Sequence, residues 1–235
     1  MPIGIIIKLV GRIMIEIEAT EDHRTAAKEQ AKRMNHAGSM MRGTRDAHAA
    51  LAEIVACEYV GGEMVRDYNH DFKTWWGLKV DVKNKMRSVP PEPHFAVNIF
   101  TYNEKQDCDF LLFTSTAKDG RKVWICGGYG KKAFLRDADI KKAGEKFGPQ
   151  QITYRRDNYE MQIKDIGQAE PVVKMLRGEG EAKARPLHKI LQSIHTIEEL
   201  EGLANRRKWL RSDLPRWTKA EIEQIKERKW QIENL

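Results

Sequence analysis

Hydrophobic and polar residues alternate along the stretch from residue 78 to residue 85. The apolar positions are Leu78, Val80 and Val82. The polar positions between and after them are Lys79, Asp81, Lys83 and Lys85. Alternate side chains of a β-strand leave opposite faces, so this period of two predicts a strand over 78–85. One face of the strand is apolar, and the other carries a carboxylate and a lysine one pleat apart.

The same patterns predict the other elements of an α/β (α+β) protein with a mixed central sheet flanked by helices. Two N-terminal strands form a hairpin at Gly11-Arg12, and Gly127-Gly128 ends a later strand. The strands are predicted at 3–10, 13–18, 66–73, 95–101, 109–115, 121–127 and 158–164. Helices are predicted from Thr20 to about Asn35, over 45–60, and as a short segment starting near Lys131 or Asp137.

The pattern of residues changes after about residue 175, where signals for strands stop. Glycines at 178 and 180 and Pro186 mark a linker. Beyond them, 187–210 and 218–232 are predicted to form two charged helices. We therefore predict a core domain over 1–175 and a basic helical C-terminal extension over 176–235.

Composition narrows the class of protein. The 235 residues are 41% hydrophobic and 32% charged, which is typical of a globular protein, and the net charge is +7. A basic chain favours an anionic partner, with nucleic acid ahead of a membrane surface. Three widely spaced cysteines make a zinc site improbable and fit reduced thiols in the cytoplasm. The apolar run at residues 4–7 is too short for a membrane span.

Candidate chemistry gathers around the alternating strand. Asp71 lies upstream of Asp81, across a turn that Gly77 can make. Glu53 lies on the predicted helix over 45–60, among small residues suited to close packing. A carboxylate on a packing face needs a partner or a metal. Two other interpretations stay open: an ordinary turn aspartate at Asp71, and a solvated polar face on the strand.

Three segments together carry a resemblance to a known family. They are L-A-E-I-V-A-C-E-Y-V-G with Glu53, Y-N-H-D-F with Asp71, and K-V-D-V-K with Asp81 and Lys83. In this order they resemble the PD-(D/E)XK nuclease superfamily, with its restriction-endonuclease-like fold, and particularly its phage and resolvase-like branches. The resemblance covers about residues 37–130. The chain departs from the common pattern in lacking a proline before Asp71 and in having Asp81 where glutamate is more frequent.

The resemblance implies a role for each of these residues. Asp71 and Asp81 bind a metal ion, the backbone carbonyl of Val82 is a further ligand, and Glu53 completes the metal shell directly or through water. Lys83 orients or deprotonates the attacking water and stabilises the charged phosphate. Carboxylate and water ligands suit Mg²⁺ or Mn²⁺.

Other residues compete for these roles or extend the site. Glu58 and Glu63 compete with Glu53, and Gln106 and Asp109 are placed to approach the cluster. The run Gly127–Lys131 lacks the spacing of a phosphate-binding P-loop and is better explained as a tight turn. The turn tryptophans Trp75 and Trp76 fit core or lid positions. The candidate nucleic-acid contacts are Lys79, Lys85, Lys131, Lys132, Arg206, Arg207, Lys208 and Arg211.

Together these features predict a cytoplasmic Mg²⁺-dependent deoxyribonuclease, an endonuclease of phage or mobile-element DNA processing, with DNA as its partner and no membrane association. A homodimer with one site for each strand is a possible assembly. Two alternatives stay open. One is a catalytically inactive nucleic-acid-binding protein on the same fold, and the other is a phage host-takeover protein that acts by binding another protein.

Overall fold

The protein was analysed as a computed structural model. The structure describes residues 7–10, 14–33, 44–65, 69–147 and 152–179, and the single positions 226, 227 and 229. The chain divides into two compact units, Met1–Arg177 and Gly178–Leu235. Of the second unit only five residues are described, so the predicted helix over 187–210 and almost all of the helix over 218–232 lie outside the described residues.

The main sheet of the first unit has seven strands in the described part of the chain. They are β1 (Ile7–Val10), β2 (Met14–Glu18), β3 (Glu63–Met64), β4 (Phe72–Lys73), β5 (Lys79–Arg87), β7 (Phe110–Ala117) and β8 (Lys122–Gly130). Their order across the sheet is β1-β2-β8-β7-β5-β4-β3. Strands β5 and β7 pair in parallel and the other neighbours are antiparallel, so the predicted mixed sheet is confirmed.

Helices and two smaller sheets complete the described part of the first unit. The helices are α1 (Glu21–Arg33), α2 (Thr44–Val60), α3 (Lys131–Asp137) and α4 (Ala169–Leu176). A three-stranded sheet contains β6 (Ala96–Phe100), β9 (Asp139–Lys141) and β12 (Asn158–Gln162), and β10 (Lys146–Phe147) pairs with β11 (Ile152–Thr153). Among the described residues, no helix has the length and apolar character needed to cross a membrane.

The main sheet is covered on both faces, which explains its alternating side chains. On one face Val80, Val82 and Leu112 pack with residues of α2 and α4, in what we call the helix-side core. On the other face Leu111 and Phe113 pack with residues of β6 and α3, in the sheet-side core. Even-numbered residues of β5 therefore point to the helices, and odd-numbered residues point to the second layer.

The structure confirms most predicted elements and corrects two. The N-terminal hairpin, the helix over 45–60 and the strand over 78–85 are present. The predicted strand over 66–73 differs in extent: within its described part, residues 69–73, the strand is Phe72–Lys73, and a separate short strand lies before it at Glu63–Met64. In β4, Phe72 pairs with Val80 of β5 and Lys73 pairs with Lys79.

The second correction concerns Gly127 and Gly128. The predictions that they end β8 and form a tight turn are both wrong, because the strand continues through Gly130. The two glycines allow the segment around Gly167 to pack directly against β8. Gly128 and Gly167 exchange two backbone hydrogen bonds of 3.0 Å. A Cβ on Gly127 would lie 2.1 Å from the carbonyl oxygen of Gly167. The glycine pair is thus required by close packing.

The turn between β4 and β5 is fastened to the end of α4. Gly77 has a φ of +88° and makes the turn as predicted. The indole N–H of Trp75 donates to the carbonyl of Arg177 (2.8 Å), and that of Trp76 donates to the carbonyl of Leu176 (3.1 Å). The last carbonyls of a helix lack partners within the helix, so the two tryptophans cap α4.

Candidate active site

The candidate site lies at the start of β4, where pairing with β5 stops and the edge of β5 is left without a neighbouring strand. Strand β4 has only two residues, so the backbone N–H of Val82 has no strand partner on that side. The Asp71 carboxylate accepts this N–H at 2.6 Å through Oδ2. The backbone N–H of Asp71 donates in turn to the carbonyl of Val80 at 2.9 Å. Asp71 is thereby bound to the residues on both sides of Asp81, which brings the two predicted carboxylates together.

Asp81 and Lys83 point from β5 into the layer on the sheet-side face. Asp81 is buried, with 4% of its surface exposed, so a solvated face is excluded for this residue. The Lys83 ammonium lies 2.6 Å from Asp81 Oδ2. The angles at this contact are not those of a hydrogen bond, and Asp81 Oδ2 has no hydrogen-bond partner among the described residues. The pair is thus a charge contact in which this buried carboxylate oxygen makes no hydrogen bond.

Helix α2 supplies the third carboxylate. Glu53 Oε2 accepts a hydrogen bond of 2.9 Å from the side-chain amide of Gln30, on α1. The competing Glu58 is turned away: its Oε2 lies 2.7 Å from His23 Nε2 and about half of its side chain is exposed. Glu63 is exposed on β3. Of the three acidic candidates, Glu53 is the one that interacts with Asp71 and Asp81.

The three carboxylates act on one another electrostatically. Burial, and then the charge of Asp81, raise the pKa of Glu53 from 4.5 to about 7, while Lys83 and Gln30 act in the opposite direction. Burial, and then the charges of Glu53 and Asp81, raise the pKa of Asp71 well above its ordinary value. Carboxylates that share a buried site resist simultaneous ionisation unless positive charge is supplied. Lys83 alone does not remove the upward shift of either group.

The charges at this site would favour a bound cation, but the described side chains are not gathered around one position. Three oxygen-bearing acids share one ammonium, and one buried carboxylate oxygen lacks a hydrogen bond. A bound cation is often the largest local charge in such a site and would favour the ionised acids. As the side chains stand, the described residues contain no group of three or more His, Cys, Asp and Glu side chains gathered at metal-binding spacing. Asp71 and Asp81 instead direct one oxygen each to Val82 and Lys83.

Gln106 joins the site from the crossover between β6 and β7. Its side-chain oxygen accepts a hydrogen bond of 3.1 Å from the Lys83 ammonium. The 3₁₀ helix Thr101–Lys105 leads to it. The ammonium of Lys131, at the start of α3, donates to the backbone carbonyls of Glu104 (2.9 Å) and Gln106. The predicted approach of Gln106 is confirmed, and Lys131 holds its backbone in place.

Several predicted nucleic-acid contacts have partners inside the protein. Lys131 is 6% exposed, so its ammonium is directed at the crossover and is not presented to a ligand, contrary to the prediction. The Lys85 ammonium donates to the carbonyl of Ala96 at 2.9 Å, and burial lowers its pKa to about 8, with a further contribution from Arg87. Lys85 is therefore also directed inward.

The remaining predicted contacts lie at the surface or outside the described residues. Lys79 pairs with Asp107, and its backbone N–H donates to Asp109 Oδ2 at 3.0 Å, so Asp109 organises the start of β5. Lys132 is exposed at the start of α3. The basic residues of the C-terminal extension lie outside the described residues; they are Arg206, Arg207, Lys208 and Arg211.

The sequence was also compared with known proteins. Neither the protein-family models nor the curated proteins gave a match. The fold class supported by the structure is a mixed α+β arrangement, and the case for a function rests on the cluster of Glu53, Asp71, Asp81 and Lys83.

Proposed function

We propose that the protein is a metal-dependent nuclease that hydrolyses DNA phosphodiester bonds, on a restriction-endonuclease-like core of the PD-(D/E)XK class. One observation carries the proposal: helix α2, the residue before β4 and strand β5 bring three mutually interacting carboxylates and one lysine to a single site. An ion pair with a purely structural role needs only one acidic side chain for each basic one, whereas this site has three acids and one lysine. The excess of acid at this buried and partly buried site is a stability cost that a cation-binding function explains.

Each residue then has a defined task. Asp71 and Asp81 offer carboxylate oxygens to Mg²⁺ or Mn²⁺, Glu53 completes the ligand set directly or through water, and the Val82 carbonyl is a further candidate ligand. A divalent cation at this site supplies a Lewis acid and lowers the pKa of a bound water. Lys83, held by Gln106, orients the attacking water and stabilises negative charge on the phosphate.

The Lys83 ammonium has two oxygen neighbours, one on Asp81 and one on Gln106. The ammonium lies at an oxygen that the proposal assigns to the cation. Gln106 offers Lys83 an alternative hydrogen-bond acceptor at 3.1 Å. If Asp81 held a cation, Lys83 would still have the Gln106 oxygen as a hydrogen-bond acceptor. Gln106 is thus a positioning residue for Lys83.

Incubation of the full-length protein with circular, linear and four-way-junction DNA tests the proposal. With Mg²⁺ or Mn²⁺ we expect nicked or linearised circles, which establishes endonuclease action, and no cleavage in EDTA. Asp81→Ala and Lys83→Ala are each expected to abolish cleavage. Glu58→Ala is the matched control, since it removes a carboxylate from the same helix that faces His23. Cleavage at the wild-type rate by purified Asp81→Ala protein would overturn the proposal.

Metal binding can be measured without DNA. A ligand that binds only the folded state stabilises it, by about 2.7 kcal/mol at 100 times its dissociation constant. We expect Mg²⁺ to raise the unfolding temperature of the wild-type protein and to leave that of Asp81→Ala unchanged. An equal rise in the unfolding temperature of both proteins would mean that Mg²⁺ binds at a site that does not involve Asp81.

A further inference from the structure

Two aromatic rings lie stacked and exposed beside the crossover that reaches the candidate site. The rings of Phe100 and Tyr102 have centroids 5.3 Å apart and planes inclined by 16°. Phe100 is 36% exposed and Tyr102 is 45% exposed. The guanidinium carbon of Arg156 lies 5.8 Å from the Tyr102 ring centroid. We call these three residues the aromatic platform.

The platform belongs to neither hydrophobic core. Val97 and Ile99 of β6 point into the sheet-side core, so alternation places Phe100 on the outer face of that strand. Large aromatic side chains are usually placed where they bury area, so an exposed stacked pair is unexpected as packing alone. Arginine beside exposed aromatic rings is the composition of a surface that stacks bases and attracts phosphates.

The backbone beneath the platform is held in place. The N–H of Thr101 donates to the carbonyl of Asp157 at 3.1 Å. The Lys131 ammonium fixes the other end of the 3₁₀ helix through the carbonyls of Glu104 and Gln106. A rigid support lowers the entropy lost when a ligand is bound, so the rings are already arranged for stacking.

The same short helix links the platform to the catalytic lysine. Tyr102 and Gln106 are four residues apart, which corresponds to about 8 Å along a 3₁₀ helix. Gln106 is bonded to the Lys83 ammonium. A base stacked on Tyr102 would therefore lie within a few nucleotides of a phosphate at Lys83.

We propose that the aromatic platform stacks an unpaired base of the DNA substrate, so that the preferred substrate has a single-stranded segment next to the cleaved bond. This rests on the proposed nuclease function and names its substrate class. Bases within a duplex are already stacked on their neighbours, so the platform contributes to binding only where the strand is unpaired.

The test is binding in EDTA, where hydrolysis does not interfere. Fluorescence anisotropy of labelled oligo-dT and of a blunt duplex gives the two dissociation constants. Loss of one base–aromatic stack corresponds to about a 5- to 150-fold loss in affinity, which we expect for oligo-dT with Tyr102→Ala. Duplex affinity should change less than about twofold, and Tyr102→Phe should retain the wild-type affinity for oligo-dT because the ring remains.

Ile140→Ala is the matched control, because Ile140 is an equally exposed apolar residue (51%) on β9 of the same small sheet. It should leave both affinities unchanged. Unchanged oligo-dT binding by the Tyr102→Ala variant would overturn the proposal that the aromatic platform stacks an unpaired base. So would an equal loss for duplex and oligo-dT, because stacking on an unpaired base cannot produce it.

The outcomes separate this inference from the nuclease proposal. If wild-type protein cleaves DNA with Mg²⁺ and Tyr102→Ala binds oligo-dT normally, the platform is wrong and the nuclease proposal stands. If wild-type protein cleaves no DNA but Tyr102→Ala weakens oligo-dT binding alone, the platform stands as a single-strand binding site and the nuclease proposal fails.

Discussion

Replacing Glu53 by glutamine tests the electrostatic description of the site most directly. Glutamine has the shape of glutamate and keeps a side-chain oxygen that can accept the hydrogen bond from Gln30. It removes only the negative charge. Because burial and Asp81 raise the pKa of Glu53, its ionisation opposes folding, and the substitution should stabilise the metal-free protein.

The magnitude follows from the pKa in the two states. The folded value of about 7 exceeds the ordinary 4.5, so the folded state binds the proton more tightly, and stability is lost as the pH rises from 4.5 to 7. At pH 8 the loss reaches about 3 kcal/mol, at 1.36 kcal/mol for each pKa unit. At pH 5 the folded carboxyl is protonated and the loss is about 1 kcal/mol.

Urea unfolding in EDTA at pH 5 and pH 8 measures this difference. The stabilisation of Glu53→Gln over wild type should be about 2 kcal/mol larger at pH 8 than at pH 5. Changes in packing caused by the substitution are the same at both pH values and cancel in this comparison. Glu29→Gln, at an exposed position of α1, should change stability by no more than about 0.5 kcal/mol at either pH.

Two results would refute this description. One is an equal effect of Glu53→Gln at pH 5 and pH 8, which would mean that the Glu53 carboxyl titrates near its ordinary pKa. The other is a variant that is less stable than wild type at pH 8 only, which would mean that the ionised carboxylate is favourably paired. Either would remove the excess of negative charge on which the metal site depends.

Two further predictions concern the scaffold. Gly128→Ala should destabilise the protein by about 1–3 kcal/mol in urea unfolding, since its Cβ would lie 2.4 Å from the Phe110 ring; Gly130→Ala, whose Cβ meets nothing within 4 Å, should be tolerated. Lys131→Met should lower the rate of DNA cleavage at saturating DNA, because it removes the hydrogen bonds that hold the β6–β7 crossover. Lys132→Met, at an exposed position, should not lower that rate. Equal rates for the two variants would contradict the role given to Lys131.

The sequence predicts the part of the site that is set by local geometry. Asp81 and Lys83 are two residues apart on a strand, so their shared face follows from the alternation itself. The turn at Gly77 joins β4 to β5, so Asp71, just before β4, lies beside the strand that carries Asp81 and Lys83. The choice of Glu53 over Glu58 was supported by the resemblance, and the pairing of Glu58 with His23 gives its structural reason.

The features that depend on distant segments were not predictable in this way. Asp81 lies on the face of β5 that is covered by residues of β6 and β12, and a single strand pattern does not contain that information. The contact of Gln30 with Glu53 depends on how α1 packs on α2, so no local signal marks it. Lys131 follows a glycine-rich run that resembles a loop, while its inward direction comes from a strand that continues to Gly130.

The capping of α4 by the β4–β5 turn sets a limit on useful fragments of this protein. A chain cut at residue 175, where composition changes, would lose Leu176 and Arg177 and so the two acceptors of Trp75 and Trp76. It would also lose the Arg177 guanidinium, which donates to the carbonyl of Tyr59 and lies 4.4 Å from that ring centroid. An expression fragment should therefore extend past residue 177 to keep the turn between the two aspartate-bearing segments anchored.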